Sequence, residues 1–207
     1  MVTPTTNPFS TRHTRPGSIV PLDGRGAPLD IPLLVGRLRR AGGVGAIVGP
    51  HGSGKSTLLL RLAGEIEAAG TDVAVLRMRG LWDVWRTMRA FRITGRSGIV
   101  CIDGWERLTG PVHQLVRLLA WATGRGLVVT MHRRDSMPEL ATCLTSPGLL
   151  AAIVDRLPGR AEWYGTLIEE QDVRAAFDRQ RGDIREALYE LYDVFERRAR
   201  GGAPRRS

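Results

Sequence analysis

Through the middle of the chain, short apolar runs alternate with longer stretches in which apolar residues recur at helical spacing. Residues 44–48 (Val44-Gly45-Ala46-Ile47-Val48) form a buried-strand pattern. A glycine-rich loop follows, and then 55–69 carries Leu58, Leu59, Leu62 and Ile66 on one helical face. Further strands are predicted over 72–77 and 98–103, separated by a helix over 81–91 with Leu81, Trp85 and Met88 on its buried side. A helix over 111–122, with Pro111 suited to its first turn, leads into a strand over 126–132, and a brief fifth strand is expected near 140–144. Short apolar strands alternating with helices of this length predict an α/β fold, a parallel sheet covered by helices on both faces.

The flanks read differently. Residues 1–28 are rich in Pro and Gly with little periodicity, the pattern of an extended N-terminal arm. Asp30 is suited to cap a short helix carrying Leu33, Leu34, Val35 and Leu38, which Gly42 and Gly43 end. After about residue 146, helices are expected over 147–157, 170–180 and 183–199, with a short extended piece at 163–168 and no strand otherwise. The expected organisation is an arm (1–28), an α/β core (29–146), a small helical appendage (147–199) and a basic tail (200–207). No internal repeat is visible.

Composition narrows the class. A chain of 207 residues allows one domain, or one with a small appendage, and 43% apolar with 25% charged residues is ordinary for a soluble globular protein. The first eighteen residues hold no apolar signal segment, and no later run is long enough to span a membrane. Cys101 and Cys143 have neither metal nor redox spacing, and Cys101 falls inside a strand pattern as a small buried hydrophobe. A cytoplasmic, reducing location is expected. The net charge of +9 and pI near 11 attract nucleic acid without reading its sequence, although Arg-rich coding alone raises pI in the same way.

Of the thirty basic side chains only one is lysine, Lys55. It sits in Gly49-Pro50-His51-Gly52-Ser53-Gly54-Lys55-Ser56-Thr57, which fits G-x-x-x-x-G-K-[ST] between a predicted strand and a predicted helix. A compact ammonium suits phosphate as a point charge, where arginine offers a wide planar fork. The glycines let backbone N–H groups of the loop, and of Lys55, Ser56 and Thr57, point at phosphates from a helix N-terminus. In such a Walker A loop Lys55 reaches the β- and γ-phosphates, the Ser56 hydroxyl ligates Mg²⁺, and Thr57 lies near the α-phosphate. ATP with Mg²⁺ is the expected ligand, and no Asn-Lys-x-Asp guanine motif is present.

The second half of such a site is an acidic residue closing a buried strand, and Asp103 follows Ile99-Val100-Cys101-Ile102. A carboxylate there holds the metal beside Ser56; read alone, Asp103-Gly104 is a turn. Glu106, three residues on, can orient an attacking water or can be a solvent-facing partner of Arg107. The Asp103-Gly104-Trp105-Glu106 pattern resembles the Asp-Gly-x-acid variant of signalling NTPases with a NACHT module. At the end of the fourth strand Thr130 and His132 project to the same side, where a polar residue can sense the γ-phosphate. Both also have ordinary readings, as a β-former and as a surface histidine.

In the tail, Gly182-Asp183-Ile184-Arg185 opens a helix that Asp183 can cap, with Glu186 at capping-box spacing. This opening resembles the lid of clamp-loader-type AAA+ ATPases. With the Walker residues, the chain from about Val44 to Arg198 resembles a compact ASCE-type P-loop ATPase of the AAA+ kind. The resemblance implies that 147–199 is a helical lid and that Arg185 is a second sensor over the γ-phosphate. It also implies a hydrolase in which Lys55, Glu106, Thr130, His132 and Arg185 are the candidate catalytic set. The chain is similar, too, to small bacterial P-loop proteins sharing the Pro8-Phe9-Ser10-Thr11-Arg12 start and Arg185-Glu186-Ala187-Leu188, which implies no function. It departs from the AAA+ pattern in having no adjacent Asp-Glu pair, and Arg133 and Arg134 are the candidate arginine fingers. A P-loop kinase and a nucleotide-gated nucleic-acid binder remain the alternatives to a nucleotide-driven switch. Arg77, Arg79, Arg86, Arg89, Arg92 and Arg96, interleaved with Trp82, Trp85 and Phe91, suit either single-strand binding or an amphipathic helix with Trp85 in the core.

Overall fold

The computed structural model describes residues 6–80 and 83–201, which divide into two compact units: 30–49 with 55–143, and 6–29 with 50–54 and 144–201. In chain order the elements begin with α1 (Thr11–Thr14), α2 (Ile31–Arg40), β1 (Val44–Val48), α3 (Lys55–Ala68), β2 (Val73–Arg77) and α4 (Asp83–Ile93). Next come β3 (Ile99–Asp103), a 3-10 turn (Trp105–Arg107), α5 (Gly110–Thr123), β4 (Gly126–Met131) and β5 (Glu139–Thr142). The chain ends in α6 (Pro147–Val154), α7 (Arg160–Trp163), α8 (Glu170–Arg179) and α9 (Ile184–Gly201).

The first unit is built on a five-stranded parallel sheet in the order β2-β3-β4-β1-β5. Parallel strands need helical crossovers, and these cover the sheet, so its central strands are apolar on both faces. One face presents Ala46, Val48, Val100, Ile102, Leu127 and Val129 to Ala90 and Phe91 of α4 and to Val116 and Ala120 of α5. The other face packs on α3, whose Leu58, Leu59 and Leu62 are buried. The predicted α/β class is the observed one. Asp30 caps α2, its carboxylate accepting from Leu33 N at 2.9 Å. Cys101, buried mid-strand, has its thiol pushed up to about 12 by desolvation, and burial raises Cys143 to about 11.

One helix face departs from the expected pattern. Trp85, assigned to the core by its spacing from Met88, is 74% exposed. Asp83, Thr87, Ala90 and Phe91 take the buried stripe instead. Asp83 is held inward because its carboxylate accepts from Arg79 N and Gly80 N of the loop before α4, which ties the first turn of the helix to that loop. The expected beginning of this helix, Leu81 and Trp82, lies outside the described residues.

The second unit is helical. Phe9, Trp163 and Phe195 meet edge-on or tilted, with Phe9 and Trp163 centroids 5.3 Å apart, inside a cluster that includes Leu150, Val154, Ile184 and Leu191. The N-terminal segment, expected as an extended arm, thus contributes Phe9 to this core. Asn7 Nδ2 also donates to Tyr192 O and to Glu196. The extended piece expected at 163–168 is a turn closed by a single Tyr164–Ile168 bridge, directly after the short helix α7. No described helix is long and apolar enough to cross a membrane.

Candidate functional site

In open α/β sheets, ligands lie beyond the carboxyl ends of the strands where the strand order reverses. Here β1 has β4 on one side and β5 on the other, and the chain leaves β1 into Gly49–Gly54 and α3. Gly52 (φ +66°) and Gly54 (φ +87°) adopt left-handed backbone that side chains disfavour, so the loop needs glycine at both. Ser53 Oγ donates to Pro50 O at 2.9 Å across the loop. Pro50 and His51 are exposed, and Thr57 is half-buried in the first turn of α3.

In the sheet unit, Lys55 is buried and its Nζ donates to Gly49 O at 2.8 Å. Strand alternation places Arg77, Asp103 and Thr130 on the α3 face of the sheet, and α3 brings Ser56 to them. Ser56 Oγ lies 2.9 Å from each Asp103 carboxylate oxygen. Thr130 Oγ donates to Asp103 Oδ1 at 2.8 Å and accepts from Gly104 N at 2.9 Å. Arg77 Nε donates to Asp103 Oδ2 at 3.1 Å. Arg77 faces Asp103 because the two residues are register partners at the ends of β2 and β3. The Thr130 hydroxyl is thereby engaged by Asp103 and by the backbone after it.

Glu106, in the 3-10 turn after β3, pairs with His132 Nε2 at 3.2 Å and not with Arg107. Gly104 is left-handed (φ +90°), which lets the chain turn from Asp103 into Trp105. Trp105 is buried and stacks on His113, with centroids 4.4 Å apart.

In the helical unit, Asp183 Oδ1 accepts from Arg185 N at 3.0 Å and Glu186 N at 3.1 Å, the capping geometry expected of it. Arg181, with φ 51°, and Gly182, with φ +83°, both enter left-handed space to turn the chain from α8 into α9. The Asp183 carboxylate packs so close to Gly52 that a Cβ there would clash with it. The start of α9, with exposed Arg185, is thereby seated on the glycine-rich loop. The contacts not read from the sequence include Glu106–His132, Thr130 on Asp103, Arg77 on Asp103 and Asp183 on Gly52. Arg77 on Asp103 follows from β2–β3 register, and Asp183 on Gly52 has no local signal.

No family model matches the chain, and no curated protein matches it in sequence. Its fold recurs in solved AAA+ structures. RuvB of Thermotoga maritima, a Holliday junction branch migration motor, is similar at TM-score 0.55 and 17% identity over 83% of this chain and 66% of that one. DnaA from Aquifex aeolicus, bound to AMPPCP, is similar at TM-score 0.52 and 12% identity over 82% and 64%. A Walker-type ATPase of Pyrococcus abyssi gives TM-score 0.57 at 12% identity over 93% and 75%. The chain spans just under two thirds of the RuvB and DnaA chains. It has the fold of a compact AAA+ P-loop ATPase.

Proposed function

We propose that this chain binds ATP with Mg²⁺ and hydrolyses it, using the nucleotide as a switch. The observation that supports this most is the pairing of Ser56 with Asp103 at 2.9 Å, one residue after the lone lysine of the glycine-rich loop. A hydroxyl and a carboxylate are hard oxygen donors, which suit Mg²⁺, an ion that keeps waters and takes further ligands from phosphate. Among the described residues no group of three or more His, Cys, Asp or Glu would build an all-protein cage for another metal.

In this reading the backbone from Gly49 to Thr57 wraps the phosphates, and Lys55 exchanges Gly49 O for β- and γ-phosphate oxygens. Ser56 and Asp103 hold the metal, which when bound neutralises charge on the β- and γ-phosphates. Thr130 keeps Asp103 oriented. Glu106 aligns water, with His132 as the partner that holds it until then, and Arg185 meets the γ-phosphate from the start of α9. Seating of that helix on Gly52 couples nucleotide state to the lid. Nucleic acid is the proposed polymer partner, supported by the net charge of +9 and by the likeness to a branch migration motor. A cytoplasmic location belongs to the same proposal.

The Glu106–His132 pair favours one second reading, a nucleotide-gated binder with little turnover, because it engages a carboxylate oxygen that a water-orienting role would use. Phosphate release from Mg-ATP by the full chain separates the two. The expected result is measurable turnover that Glu106→Gln lowers about 100-fold without loss of nucleotide affinity. Absent turnover with intact Lys55-dependent binding would establish the second reading instead.

A further inference from the structure

The outward face of α4 and α5 carries charges and rings that the nucleotide site does not use. Trp85 is 74% exposed, Ile93 71% and Trp121 80%, beside exposed Leu118. Arg86, Arg89, Arg92 and Arg96 project from α4 and the turn after it, all exposed. Arg125 Nε donates to Thr94 O at 2.8 Å, tying the carboxyl ends of the two helices and bringing Trp121 toward the Arg92–Arg96 end.

What distinguishes this face is exposed rings standing beside arginines that meet no carboxylate among the described residues. Several arginines elsewhere do meet one: Arg134 with Glu139, Arg160 with Asp155, Arg174 with Glu170 and Arg198 with Asp172. On α4 Arg86 pairs with Asp83, whereas Arg89, Arg92 and Arg96 have no ion pair among the described residues. Helix α5 contains no acidic residue at all. Arg89 and Arg92 lie three positions apart on α4 and Arg96 just beyond its end, a run of like charge whose repulsion an anionic ligand would relieve.

We propose that this face binds single-stranded nucleic acid, with Arg89, Arg92 and Arg96 on successive phosphates and Trp85 and Trp121 as stacking platforms. A basic groove with exposed rings takes a single strand, because unpaired bases offer π-faces that a duplex hides. The uniform positive sign, with no carboxylate on α5 to offset it, selects an anionic partner. The inference rests on nucleic acid being the partner, and is independent of whether the chain hydrolyses ATP.

The test is fluorescence anisotropy of labelled dT and rU oligonucleotides and a DNA duplex with the full chain, without nucleotide, over a salt series. Three proteins run beside the wild type. The first is Arg89→Ser/Arg92→Ser/Arg96→Ser, the second is Trp121→Ala, and the third is Arg37→Ser/Arg39→Ser/Arg40→Ser, which removes equal charge from exposed positions of α2. The α4 triple variant is expected to weaken single-strand binding at least tenfold and to flatten the log–log salt slope by roughly two. Trp121→Ala is expected to weaken it about fivefold or more at every salt concentration. The α2 variant should bind within about twofold of wild type. Whichever of dT and rU binds tighter names the source of the strand.

If wild type binds single strands and the α4 and α2 variants weaken alike, affinity follows net charge and this face is not the site, while the partner reading stands. Preference for duplex overturns the stacking role in the same way. No binding by wild type overturns the partner reading itself.

Discussion

Three side chains converge on the Asp103 carboxylate: Ser56, Thr130 and Arg77. The first contact was legible from the motif spacing, since a strand-closing acid belongs beside the Ser of a Walker A loop. Thr130 was placed on the right side of the sheet by strand alternation, but its partner was not, because only the turn at Gly104 brings both Gly104 N and Asp103 Oδ1 to its hydroxyl. Arg77 escaped because inter-strand register is a property of the sheet and not of any local run. Its guanidinium bonds the same Oδ2 that a metal would draw on, and its side chain is 55% exposed, so it can swing into solvent at little cost. Arg77→Met is therefore expected to lower the Mg²⁺ concentration that half-saturates binding of a fluorescent ATP analogue roughly three- to fivefold, with Arg77→Lys closer to wild type. An unchanged or raised Mg²⁺ requirement would show that Arg77 does not compete for Asp103.

At the scale of elements, α8 and α9 are pinned to each other by charge. Burial works against the Asp172 carboxylate, yet the Arg198 fork and Glu169 N hold it below its usual value. Burial likewise opposes Glu190, which Arg179 and Gln180 hold below its own. Carboxylates depressed in the folded state add stability that is fully present above their unfolded values, 3.8 and 4.5, and that is lost as pH falls through the folded ones. Thermal unfolding followed from pH 7 to pH 3 should show the melting temperature falling below about pH 4.5, and falling less steeply in Asp172→Asn, which starts lower. Identical acid slopes would remove the pair from the account. The helices themselves were readable from periodicity and caps to within a few residues, and so were the first four strands. What misled was α4, where a tryptophan at helical spacing reads as core, whereas Asp83, bonded to the loop before the helix, takes the buried side. Phe9 was missed for a related reason: a single aromatic in a Pro-rich segment has no period, and only the Trp163–Phe195 pair gives it a place.

For the whole molecule, alternating apolar runs sufficed for the class of fold, since parallel strands joined by helices have few ways to bury both sheet faces. They could not show that residues 50–54 pack with the helical unit while Lys55, one peptide bond later, opens a helix of the sheet unit. The central claim is that this loop binds nucleotide through Lys55. Equilibrium titration of a fluorescent ATP analogue with Mg²⁺ into wild type and Lys55→Ala, with melting temperatures matched, tests it most directly. Loss of a charge-assisted bond to phosphate is expected to weaken affinity by about tenfold or more. Equal affinity in the two proteins would contradict the account at its root.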